Sequence, residues 1–290
     1  MTVAVAVPAA LLAACCFAVA AVLQQEAAAT VPEKESLHPR LILVLAHRPL
    51  WLAGIALSAF SFLVQGVALA VGPLVLVLPL ASTDLLFALP LLARRHRRRL
   101  TRREVAGAVC TAGGVAAFLA VLPYSAAESR PGAAEWLPLL AVVAACLTVL
   151  VPTGLRSSGR VRAGVYAAAA GLLFALLDAL TKSAAVLFRD RGAAALGHWE
   201  PYALLLVGSA GLLLAQSSFQ AGSLAVGLPL IDTVEPIGAV LIGAAVFHER
   251  LAASGFLALQ ILGAALAVTG IVILDRSPLV REGPGAPTTG

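Results

Sequence analysis

Nine stretches of this chain are apolar over a length that would cross a lipid bilayer, and that repetition leaves few folds open. At 1.5 Å of helix rise per residue, a hydrocarbon core of about 30 Å takes about 20 residues. Runs at 3–23, 51–71, 73–93, 105–122, 136–151, 163–187, 202–221, 223–247 and 254–274 come close to that length. With 60% of its 290 residues hydrophobic and 12% charged, the chain has too little polar surface to clothe a soluble domain. The expectation is an all-α, polytopic membrane protein of about nine transmembrane helices, with the lipid bilayer as its first partner. Trp51, Trp136 and Trp199 fall at run boundaries, where amphipathic rings anchor at the headgroup level.

The net charge is +5, but its distribution points to topology rather than to nucleic acid. The segment "RRHRRRLTRR" at 94–103 carries seven of the twenty basic residues in one gap between apolar runs. Placing it in the cytoplasm puts the first, third and fifth loops and the C-terminal tail inside with 3, 7, 3 and 2 Lys/Arg. The outer loops keep only Arg130, Arg189, Arg191 and Arg250. The positive-inside rule then gives the N-terminus outside and the C-terminus cytoplasmic. Arginine outnumbers lysine 18 to 2, as a GC-rich bacterial genome would produce, which suggests a bacterial inner membrane. The tail at 275–290 is rich in Pro and Gly and reads as disordered.

The first run lacks the basic leader of a signal peptide. "LLAAC" at 11–15 has the shape of a lipoprotein cleavage box, but an Ala/Leu-rich helix produces such matches by chance, and the run is kept as a span. Cys15, Cys16, Cys110 and Cys146 lie inside apolar runs without metal-ligand spacing. No phosphate-binding loop, His-Glu-x-x-His pair or nucleophile elbow is present. Neither an enzyme nor a cofactor is expected.

An internal repeat sets the architecture. Shifting the chain by 150 residues lays "GPLVLVLPLAST" over "GSLAVGLPLIDT", with Gly72/Gly222, Leu74/Leu224, Leu78/Leu228, Pro79/Pro229, Leu80/Leu230 and Thr83/Thr233 identical. Four spans (1–122), a connecting span with its loops (123–162) and four further spans (163–274) follow from it. An odd connecting span inverts the second repeat relative to the first, a recurring construction of secondary transporters.

Ionisable groups inside the spans are the candidate site, because an acid there costs several kcal/mol. Asp84, Asp232 and Glu235 should converge near the midplane if the repeats pack face to face. Asp232 and Glu235, three apart, share a helix face and repel when both are ionised, so a proton or bound cation is expected with them. Asp178 and Lys182, four apart, read either as a structural ion pair or as a coupling pair. Pro79, Pro229 and Pro236 are expected to break their helices and free carbonyls. Gln65 and Gln216, at near-matching repeat positions, would line the cavity.

The stretch "EPIGAVLIGAAVFHERL" is similar to the Glu-Pro and Glu-Arg-Leu pattern near the end of EamA-type transporters. "RPLWLAGIAL" with "GPLVLVLPL" resembles the NIPA-like magnesium-transporter branch. The chain thus resembles the drug/metabolite transporter superfamily along nearly its whole length. It departs in having "RRRLTRRE" where its second half has "HERL", and nine spans rather than the ten usual in EamA proteins. The resemblance implies a secondary transporter moving a small metabolite or drug by alternating access, coupled to protons or cations. A divalent-cation transporter is the alternative within that class, with its metal ligands unassigned. A receptor or assembly scaffold, for which a homodimer would also be compatible, is the alternative outside it.

Overall fold

The computed structural model of the chain describes residues 2–32, 35–71, 80, 83–95, 97, 99–121, 132–222, 224–246 and 256–276. Among the described residues there are helices and no strand. In chain order they are α1 (Thr2–Ala28), α2 (Pro39–Ala46), α3 (Pro49–Val71), α4 (Asp84–Arg95) and α5 (Arg102–Ala120). Then come α6 (Ala133–Arg156), α7 (Gly159–Arg191), a 3₁₀ segment (Gly192–Gly197), α8 (Glu200–Ala221), α9 (Leu224–Val246) and α10 (Leu257–Asp275). Among the described residues seven helices are long and apolar enough to cross a membrane, or eight spans if α2 and α3, bent by 96°, are taken together. These mark the chain as a membrane protein.

Each expected run falls on a helix. The third, 73–93, is represented by α4, because 72–79 and 81–82 lie outside the described residues and Pro79 with them. The Glu-Arg-Leu motif at 249–251 and the tail at 277–290 lie outside them too. The stretch between the first two runs contains the short helix α2, which starts at a proline with His38 capping the N–H of Arg40. Helix α5 starts with a capping box: Thr101 and Glu104 each accept the other's backbone N–H, at 3.3 and 2.7 Å.

Specific contacts give the helix directions. Gln24 at the end of α1 meets Gln216 near the end of α8, Arg95 of α4 pairs with Glu26 at 3.1 Å, and Arg162 of α7 bonds Ser157 beyond α6. One end of the bundle therefore gathers Arg48, Arg94, Arg95, Arg99, Arg102, Arg103, Arg156 and Arg160, all exposed. These arginines cluster at that one end of the bundle.

Packing within the two halves follows one scheme. Helix α1 packs on α3 and α4 as α7 packs on α8 and α9, and α4 touches α5 as α9 touches α10. Ser61 of α3 donates to the Ala13 carbonyl at 2.6 Å, and Ser218 of α8 donates to the Ala163 carbonyl at 2.8 Å. Gly54 lies against the Gln24 side chain, as Gly211 lies against Phe174.

The halves also meet along an antiparallel seam of α5 on α10. A Cβ on Gly107 would stand 2.8 Å from Leu274 Cγ, and one on Gly263 would stand 2.7 Å from the Phe118 nitrogen. Gly114 faces the Ala267 backbone and Gly270 the Thr111 backbone. Adding 156 to Gly107, Thr111, Gly114 and Phe118 gives Gly263, Ala267, Gly270 and Leu274, so every contact recurs with the helices exchanged. Without a hydrophobic drive between helices in lipid, such close approach through small residues supplies van der Waals contact instead.

This seam predicts a position-specific effect of adding one methyl group. Gly114→Ala, whose Cβ would lie 2.6 Å from the Gly263 carbonyl oxygen, should destabilise by about 1–3 kcal/mol. The neighbouring Gly113→Ala, with nothing within 4 Å, should be neutral or stabilising by about 0.5–1 kcal/mol. Thermal unfolding of the two variants in detergent checks the contrast.

Candidate functional site

Close approach of α7 and α9 sets up the site. Gly171 of α7 leaves room for Val234 and for the Glu235 backbone, where a Cβ would stand 2.9 and 3.3 Å away, and Gly238 of α9 lies on Ala175. The two helices run parallel, and α9 carries Asp232 and Glu235 one turn apart. Asp84 opens α4, is buried, and accepts the N–H of Leu85 at 2.8 Å. Asp84 and Glu235 each stand eleven residues from an end of their helix on the arginine-rich side. At 1.5 Å per residue that is about 16 Å, half of a hydrocarbon core of about 30 Å.

The acids form one electrostatic group. Asp232 feels the charges of Asp84 and Glu235, and Glu235 feels those of Asp178 and Asp84. Asp178, further along α7, is exposed. Asp232 Oδ2 and the hydroxyl of Thr233 are buried without a hydrogen-bond partner among the described residues. A buried polar atom without a partner carries a desolvation cost that a bound solute, proton or water would relieve. Among the described residues no three His, Cys, Asp or Glu side chains converge closely enough to hold one metal ion. A small recess between α4 and α5, lined by Leu86, Leu89, Pro90 and Glu104, lies apart from these acids and is mostly apolar.

Several sequence expectations change. Helix α9 runs unbroken from Leu224 to Val246 through Pro229 and Pro236, so neither proline breaks it. Neighbouring helices can hold a proline-containing span in register, as α7 does here. Pro236 still lacks the N–H that would bond the Asp232 carbonyl four residues back. Gln65 and Gln216 do not occupy matching places. The serine contacts pair Ser61 with Ser218, a shift of 218 − 61 = 157, whereas Ala13 and Ala163 differ by 163 − 13 = 150. The counterpart of Gln216 is therefore 216 − 157, Ala59. Gln216 itself is fully buried, accepting from Trp51 Nε1 at 3.0 Å and donating to Gln24 Oε1 at 2.8 Å. Gln65 is half-buried on α3. Asp178 and Lys182 sit four apart on α7 as expected, but the Lys182 side chain lies outside the described residues.

Sequence reasoning missed Gly171 and the polar group around Gln216. Gly171 sits at the end of the small-residue run "AAAAG", a signal for close helix approach that repeat matching does not register. Gln24 and Trp51 flank a segment that carried no repeat partner, so nothing in the pattern tied them to α8.

No family model matches the chain, and no solved structure matches it. It is 30% identical over 230 residues to the uncharacterized protein Cgl0250/cg0304 of Corynebacterium glutamicum, covering 79% of this chain and 80% of that one. The chain belongs to the same family as that protein.

Crowded like charges predict the sign of a stability change. Because a carboxyl crowded by other acids is favoured in its protonated form, Asp232→Asn should be neutral or stabilising at neutral pH, by no more than about 1 kcal/mol. An acid held there as half of a structural ion pair would instead lose several kcal/mol on neutralisation. Unfolding midpoints in detergent distinguish the two.

Proposed function

We propose that the chain is a secondary transporter of the drug/metabolite transporter type, moving a small metabolite or drug by alternating access with protons or cations as the coupling ion. The observation that carries this reading is the set of acids Asp84, Asp232 and Glu235 from α4 and α9 near mid-depth, where Asp232 Oδ2 and the Thr233 hydroxyl are buried and unpartnered among the described residues. A scaffold has no use for that cost, whereas a transporter recovers it whenever a solute or proton arrives. Nine spans, in two inverted sets of four joined by α6, complete the reading. It draws support from the matched packing of the halves and from the exchange-symmetric seam of α5 on α10. The arginine-rich end is assigned to the cytoplasm of a bacterial inner membrane.

A magnesium or other divalent-cation transporter is the second reading, favoured by the number of acids. It requires movement in the cluster to bring ligands together, or a cation that keeps most of its waters and uses one or two carboxylates.

Reconstitution in liposomes carrying a pH dye and a magnesium dye tests both. The parent protein, screened against cations and a metabolite panel, should give a solute-dependent proton flux that Glu235→Gln abolishes while its unfolding midpoint stays within a few degrees. A magnesium signal lost in the same variant moves the assignment to the divalent cation. Equal fluxes in parent and variant would remove Glu235 from the path.

A further inference from the structure

Matched halves should be interchangeable at their two ends, yet one end carries a set of side-chain bonds between the halves that the matching residues of the other cannot make. At the arginine-rich end, the connection from α1 to α3 is fastened to α8 of the other half. Trp51 donates to Gln216 at 3.0 Å, and Gln216 donates to Gln24 at 2.8 Å, whose own amide reaches Ser58 at 3.0 Å. Gln220 Nε2 donates to the carbonyls of Val31 and Pro32 at 3.0 and 2.7 Å. The N–H of Leu37 donates to the Ser217 hydroxyl at 3.0 Å. Leu37 has φ 58°, a left-handed conformation costly for a branched side chain and held only where surrounding bonds over-determine it.

The matching positions at the other end do not carry the same side chains. Under the registers given by the serine contacts, Gln24 maps to Phe174 (24 + 150) and Trp51 to Gly208 (51 + 157), while Gln216 and Gln220 map back to Ala59 and Leu63. Phe174, Gly208, Ala59 and Leu63 cannot make these side-chain bonds. Leu63 is 71% exposed, so its face of α3 meets no partner within the chain. The connection from α7 to α8 makes contacts of a different kind. Trp199 stacks edge-on against Trp136 of α6 at 5.5 Å, and Tyr202 donates to the Leu196 carbonyl at 2.9 Å.

We propose that Trp51, Gln24, Gln216 and Gln220 form a one-sided latch that closes the arginine-rich end, so that in the resting protein the acids are reached from the opposite, outer side. The latch rests on the transporter reading, and it adds to that reading a direction of resting access. Opening the inner end requires several buried hydrogen bonds to be released together, and the matching positions Phe174, Gly208, Ala59 and Leu63 cannot form that set at the outer end.

The test uses the full chain with Cys15, Cys16, Cys110 and Cys146 replaced by Ser and a single reporter, Thr83→Cys, next to Asp84. A membrane-impermeant thiosulfonate is applied to right-side-out and to inverted vesicles. The reporter should react at least about tenfold faster from the outer side. Trp51→Phe and Gln216→Leu, each removing bonds worth on the order of tenfold in the opening equilibrium, should raise the inner-side rate by about that factor. Gln216→Met, which fills the space without the amide, serves if Gln216→Leu does not fold. Equal rates from both sides in the parent, or variants with unchanged inner-side rates, would overturn the latch and leave a solute path intact. A reporter silent from both sides in every variant, yet reactive once denatured, would overturn the transporter reading and the latch with it.

Discussion

Within hydrocarbon no water is available to a backbone N–H or C=O, so each segment crossing it must satisfy its own hydrogen bonds. That constraint makes the chain helical from α1 to α10 among its described residues. Leucine and valine on a helix surface are as well solvated by lipid tails as by one another, so apolar contact alone does not choose partners. Small residues and a few polar side chains choose them instead. Gly107, Gly114, Gly263 and Gly270 select α10 for α5, and Gly171 and Gly238 select α9 for α7. The second of these choices carries the chemistry, because it fixes the height and approach of Glu235.

Buried polar groups in this bundle differ in whether they are paired. Those around Gln216 are paired with one another and hold helices together. Asp232 Oδ2 and the Thr233 hydroxyl, at mid-depth, are left without partners among the described residues. Satisfied polar networks rigidify, and unsatisfied ones mark where something else must arrive. Unpartnered buried atoms also occur away from the acids, at Gln220 Oε1, Ser183 Oγ and Gln260 Nε2, so what sets Asp232 apart is its charge and its depth together.

Much of this was legible in the sequence because the governing signal is length and polarity. Run boundaries, the segregation of arginines and the depth of Asp84 and Glu235 all follow from counting residues. What counting misses is register. With the two serine contacts taken as equivalent, a shift of 150 relates α1 to α7 while α3 and α8 need 157, seven residues more, so Gln65 and Gln216 fall out of register. Leu-, Val- and Ala-rich helices offer too few distinctive residues to detect such a slip, whereas a single serine-to-carbonyl bond in each half exposes it. Pro229 and Pro236 misled for a related reason. Whether a proline breaks a span depends on what packs against it, and that is a property of α7 rather than of α9.

The most direct test of the central site asks whether its carboxyls are chemically addressable in the intact bundle. A hydrophobic carbodiimide reacts with carboxyl groups that can take up a proton in apolar surroundings, and the modified positions can be mapped by mass spectrometry. Modification should concentrate at Asp232 and Glu235 in the reconstituted protein and fall when a transported solute or coupling cation is present. If neither residue is modified in the folded protein, although both react after unfolding, the acids are sealed packing residues and no solute reaches them.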